Sequence, residues 1–63
     1  LPSIEYLQQV RMERAKKLLE QTNLSVAEIV PEVGYTDPKS FRKIFNKIVG
    51  LTPLEYREKF KIR

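Results

Sequence analysis

Apolar residues recur along this chain at three- and four-residue spacing and nowhere alternate with polar ones. That period marks helices burying one face rather than strands. The clearest stripe is Phe41, Ile44, Phe45 and Ile48, at i, i+3, i+4 and i+7. Upstream of it, Val26, Ile29, Val30 and Val33 form a shorter stripe. Ile4, Leu7, Ala15 and Leu18 form a third, with Val10 and Leu19 on its flanks. Tyr56 and Phe60 add an inward-facing pair near the end. The pattern predicts an all-α chain.

Polar punctuation sets the bounds of four helices, at about 3–21, 25–33, 37–49 and 52–60. Ser3 serves as the first N-cap, and Thr22 and Asn23, poor in helix interiors, end that helix. Ser25-Val-Ala-Glu28 is a capping box, in which the serine hydroxyl and the glutamate carboxylate each satisfy a free backbone N–H. Leu24 and Ile29 are spaced as the hydrophobic staple around it. Gly34 supplies the left-handed residue favoured after a helix. Asp37 caps the third helix, and Pro38 occupies its first position, where a missing N–H is harmless. Gly50 ends it. Thr52, Pro53 and Glu55 repeat the starting signal for the fourth helix, with Leu51 and Tyr56 as its staple.

Pro31 falls inside the second helix. It removes the N–H that would bond the Ala27 carbonyl, at a usual cost of ~3 kcal/mol. On a wheel of about 100° per residue, Pro31 projects away from the valine stripe. The freed carbonyl should then face water, leaving a short helix kinked at Pro31 rather than a broken one.

With 63 residues this is one domain at most, near the lower limit for a self-sufficient core. Its start at Leu1 and its brevity fit a piece of a longer protein. The chain has no cysteine and no histidine, which removes disulfides, thiolate or imidazole metal ligands, and the usual nucleophile–base pairs. The inventory argues against an enzyme and implies no cofactor and no metal. No apolar run nears the ~18 residues of a membrane span. The absence of cysteine fits a reducing cytosol.

Net charge is +4 and unevenly placed. Residues 25–36 carry only Glu28 and Glu32, whereas residues 37–50 carry Lys39, Arg42, Lys43 and Lys47 against Asp37 alone. Positive charge gathered in one segment is what contact with a polyanion needs. A solvated lysine-rich helix face would look the same at this level.

A short helix, a turn at Gly34-Tyr35-Thr36 and a longer helix make a helix-turn-helix arrangement. Opposite the Phe41 and Phe45 face, the longer helix presents Lys39, Ser40, Arg42, Lys43, Asn46 and Lys47. Lys39, Lys43 and Asn46 lie on the line most distant from the core. Lys and Arg donate to guanine O6 and N7, Asn pairs with adenine, and Ser takes either role. A recognition helix meets bases mainly through its N-terminal part. Lys39, Ser40, Arg42 and Lys43 are therefore the expected base contacts, and Thr36, Asn46 and Lys47 the expected phosphate contacts. Arg11, almost central in its apolar stripe, needs a carboxylate or carbonyl partner if buried, or else snorkels. The competing reading is a helical protein-interaction module, with Glu28 and Glu32 facing RNA polymerase or a partner domain.

The run from Tyr6 to Phe60 resembles the C-terminal DNA-binding region of AraC/XylS-type bacterial transcription regulators. The matching features are Tyr6-Leu7, Arg11, Ala15 and Leu18-Leu19, then Ile29 and Val33-Gly34-Tyr35. Phe41, Phe45, Gly50, Pro53 and Tyr56-Arg57 complete them. The resemblance implies a homeodomain-like helix-turn-helix fold, with Arg11, Gly34, Phe41, Phe45, Pro53 and Tyr56 structural. It implies that residues 3–21 are a helix connecting two helix-turn-helix units, 25–49 the second unit, and 52–63 the terminal helix. An 18-residue connector would span ~27 Å, close to one DNA turn. The implied partners are double-stranded DNA, a sensory domain of the same protein and RNA polymerase, in a cytoplasmic, nucleoid-associated setting. Val30 departs from the alanine common in the family, and Lys43 from arginine, which weakens bidentate guanine reading there.

Overall fold

Every helix starts at a residue whose side chain takes up a free backbone N–H. A computed structural model describes residues 3–61. Its helices are α1 (Ile4–Gln21), α2 (Val26–Glu32), α3 (Pro38–Val49) and α4 (Pro53–Phe60). No strand occurs among the described residues. Ser3 Oγ accepts from the Tyr6 N–H at 3.1 Å. Both capping boxes close: Ser25 Oγ accepts from Glu28 N–H while Glu28 accepts from Ser25 N–H, and Thr52 and Glu55 do the same.

The second helix runs unbroken through Pro31. Pro31 and Ala27 are both exposed, so the carbonyl freed by the proline lies on the wet side. The turn that follows has a reciprocal pair of bonds, Tyr35 N–H to Val30 C=O and Gly34 N–H to Pro31 C=O, at 3.0 and 3.1 Å. This is the Schellman closure, which requires the left-handed conformation that Gly34 adopts at φ +91°.

The core joins Met12, Ala15 and Leu19 of α1, Ile29, Val30 and Val33 around α2, Phe41 and Phe45 of α3, and Tyr56 of α4. An aromatic ladder runs through it. Tyr35, Phe41, Phe45, Tyr56 and Phe60 follow one another with ring centroids 5.9, 5.8, 5.8 and 4.6 Å apart. Ile44, Ile48, Val26, Leu24 and Leu51 pack partly buried around it, as their stripes and staples predict.

Two expectations need correction. The Ile4–Leu7–Ala15–Leu18 stripe is only partly the buried face of α1: Ala15 and the flanking Leu19 are buried and Leu18 packs partly buried, but the N-terminal members are not. Ile4, Leu7 and Val10 are 74%, 43% and 48% exposed, while Met12 is 1%. The centre of the expected stripe lies roughly 70° from that of the face that meets α2, α3 and α4, with Ala15 common to both. A wheel sums apolar positions but cannot tell which turns have a neighbour. Phe60, expected inside, is 45% exposed and covers the Tyr56 ring from the outer end of the ladder.

Arg57 ties α4 to the end of α1. Its Nε donates to Leu19 C=O and one terminal nitrogen to Thr22 C=O, both at 3.2 Å. Helix ends leave carbonyls without intrahelical partners, and a cation is the favoured group there. Tyr56 O–H also donates to the Glu20 carboxylate. Burial, with help from that bond and the nearby carboxylates, pushes the Tyr56 phenol up to about 12.

Candidate nucleic-acid interface

Two buried phenylalanines fix the rotation of α3. With Phe41 and Phe45 fully enclosed, Lys39, Lys43 and Asn46 stand on the opposite side, all exposed. Ser40, Arg42, Lys47 and Thr36 are exposed as well. Among the described residues, the ion pair is Lys16 with Glu13 on α1. Among the described residues, none of the four cations of α3 is ion-paired with a carboxylate.

Asp37 sits at the start of this face but is committed to the helix. Its two carboxylate oxygens accept from Lys39 N–H at 3.1 Å and from Ser40 O–H at 3.0 Å. Ser40 is thereby left as an acceptor, suited to an exocyclic amino group of adenine or cytosine rather than to guanine. Glu28, weighed above as part of an acidic surface, is folded back on the Ser25 N–H. That bond holds its carboxyl below the usual glutamate range, and Thr52 does the same for Glu55.

The turn is braced from α1. Arg11 is half-buried and places its guanidinium over the Tyr35 ring, 5.3 Å from the centroid. No carboxylate lies within ion-pair reach of it among the described residues. In place of the carboxylate or carbonyl partner weighed above, the half-buried guanidinium has a cation–π contact, which a planar, weakly hydrated group tolerates well. A Cβ on Gly34 would come within 3.2 Å of Arg11 Nε, so both the φ and the space at this turn call for glycine.

Three features of this region escaped sequence reasoning. Tyr35 serves as the platform for Arg11, and Arg57 as the clamp on α1; only tertiary contact reveals either. The third is a cavity of about 340 Å³ beside α3, lined by Val26, Arg42, Thr52, Pro53 and Leu54. Its lining comes from three helices, so no single period exposes it.

A short α2, a glycine-dependent turn and a basic, outward-facing α3 on an aromatic core define a helix-turn-helix DNA-binding domain. Comparison with known families places it further. A helix-turn-helix domain family model matches residues 1–59. An uncharacterised helix-turn-helix-type transcriptional regulator, YisR of Bacillus subtilis, is 44% identical over 54 residues, 86% of this chain and 19% of its own length. The transcriptional activator RhaR of Mannheimia succiniciproducens is 45% identical over 56 residues, covering 89% and 20%. The Msm operon regulatory protein of Streptococcus mutans is 42% identical over 57 residues, covering 90% and 20%. No solved structure matches the chain. The chain belongs to the AraC-type helix-turn-helix family, a DNA-binding family of transcription regulators. It spans about a fifth of the length of these relatives. Among the described residues, no helix is long and apolar enough to cross a membrane, and no acidic group is gathered to hold a metal.

Proposed function

We propose that this chain reads double-stranded DNA sequence-specifically, with α3 lying in the major groove. The observation that carries this reading is the line Lys39–Lys43–Asn46, exposed, unpaired with any described carboxylate and directly opposite Phe41 and Phe45. Lys39 and Lys43 donate to base edges as point charges, and Ser40 accepts beside them. Thr36, Asn46 and Lys47 meet phosphates. In this reading α1 is the connecting helix, α2 with α3 the reading unit, and α4 the terminal brace. The chain acts by binding rather than by catalysis. In a longer regulator, a sensory domain and RNA polymerase are the partners that turn binding into control of transcription.

The test is a fluorescence-anisotropy titration of the 63-residue chain on duplex DNA at several salt concentrations. Affinity should fall linearly on log–log axes, because each neutralised phosphate releases counterions. Lys39→Ala and Lys43→Ala should weaken binding while circular dichroism stays unchanged, since both residues are exposed. Salt-independent binding, or two variants as tight as the parent, would remove α3 as the reader.

A further inference from the structure

The cavity beside α3 lies one edge away from the reading line. A helix with its side chains is roughly 10–12 Å across, and the major groove is about 12 Å wide. A helix whose reading line faces the groove floor therefore turns its two edges toward the two sugar-phosphate walls. On α3, the base readers Lys39 and Lys43 define the floor direction. Lys47 lies roughly 60° to one side of that line and Arg42 roughly 80° to the other. Each edge thus carries one cation. On the Arg42 side the edge continues into the cavity, which Val26, Arg42, Thr52, Pro53 and Leu54 line.

We propose that this cavity seats one sugar-phosphate unit of the bound duplex, and that Arg42 is a backbone clamp rather than a base reader. The inference rests on α3 being the reading helix. The occupant follows from the chemistry of the lining. Val26, Pro53 and Leu54 offer apolar contact suited to a deoxyribose face, and Leu54 is 64% exposed with nothing over it. Arg42 offers a planar fork of N–H donors matched to two phosphate oxygens. Thr52 Oγ1 accepts from Glu55 N–H, which leaves its own proton to donate. The capping-box carboxylates Glu28 and Glu55 are both turned back onto the N–H groups of their N-caps, Ser25 and Thr52. A volume of about 340 Å³ lies at the small end of small-ligand pockets, about 300–1,000 Å³. Contact here adds affinity and register without reading a base.

The experiment compares Arg42→Ala, Leu54→Asp, Lys43→Ala and the parent chain by salt-dependent anisotropy and by selection from a randomised duplex pool. Arg42→Ala should weaken binding to all sequences alike, flatten the log–log salt slope by about 1 and leave the selected sequence unchanged. Leu54→Asp, which sets a carboxylate in the cavity mouth, should also weaken all sequences alike. Lys43→Ala should alter the selected sequence. If Arg42→Ala instead changes preference at one base, the clamp is overturned while the reading helix stands. The same holds if Arg42→Ala and Leu54→Asp bind like the parent while Lys43→Ala weakens. If none of the three variants affects binding, α3 is not the reader and both readings fall.

Discussion

Gly34 and Gly50 form a natural pair for testing how the turn is built. Both have nearly the same left-handed backbone, φ +91° and +87°. Placing an L-residue there costs ~1–2 kcal/mol, partly offset by ~0.4–1 kcal/mol from the stiffer unfolded chain. Those contributions are shared by Gly34→Ala and Gly50→Ala. The surroundings are not shared. An added Cβ at Gly50 meets nothing within 4 Å, whereas at Gly34 it meets Arg11 Nε, Cζ and a terminal nitrogen at 3.2, 3.4 and 3.5 Å. The guanidinium must give by a few tenths of an ångström, which strains its contact with Tyr35, an interaction worth about 0.5–1 kcal/mol near a surface and more when desolvated. Gly34→Ala should therefore cost more than Gly50→Ala, by at most about 1 kcal/mol, which corresponds to roughly 4–8 °C in Tm for a domain of this size. Urea or thermal denaturation followed by circular dichroism reads both. In an Arg11→Ala background the excess should vanish, because the group that is struck is gone. An excess that survives there, or none in the parent, would refute the link between Arg11 and the turn.

Two further outcomes concern pH. Folding raises the Tyr56 phenol to about 12, so its stabilising contribution is complete below the ordinary tyrosine value and is lost as pH rises toward 12. Tyr56→Phe, which removes the bond to Glu20, should be less stable than the parent at neutral pH. The gap should narrow between about pH 10 and 12; a constant gap across that range would contradict the assignment. Glu28 and Glu55 are shifted down by their capping bonds, so their contribution holds above the ordinary glutamate range and is lost as pH falls through the lowered values. A Glu28→Gln, Glu55→Gln double variant keeps the cap geometry without a charge. It should lose less stability than the parent in acid unfolding below about pH 4.

What the sequence makes legible here follows from how local each signal is. The four helix starts are written in single side chains, Ser3, Ser25, Asp37 and Thr52, that bond within three residues of themselves, and all four cap as expected. The orientation of α3 is equally legible, because Phe41 and Phe45 leave one direction for the polar side chains. The face of α1 was not, since Ile4 and Leu7 score as apolar whether or not a neighbour covers them. Arg11 stands out in an apolar stripe, but its partner is an aromatic ring contributed by the turn, which no local pattern in α1 indicates. The cavity at Arg42 needs residues from α2, α3 and α4 at once.

The placement of α3 in the major groove is tested most directly by methylation interference. Guanine N7 faces the major groove and adenine N3 the minor groove. A duplex selected by the 63-residue chain, sparsely methylated at both atoms, would be partitioned into bound and free fractions. The expected result is loss of binding when guanine N7 is blocked at adjacent positions, with adenine N3 methylation tolerated, and a Lys43→Ala variant indifferent to one of those guanines. Interference confined to adenine N3, or absent at every guanine, would contradict a major-groove reading helix.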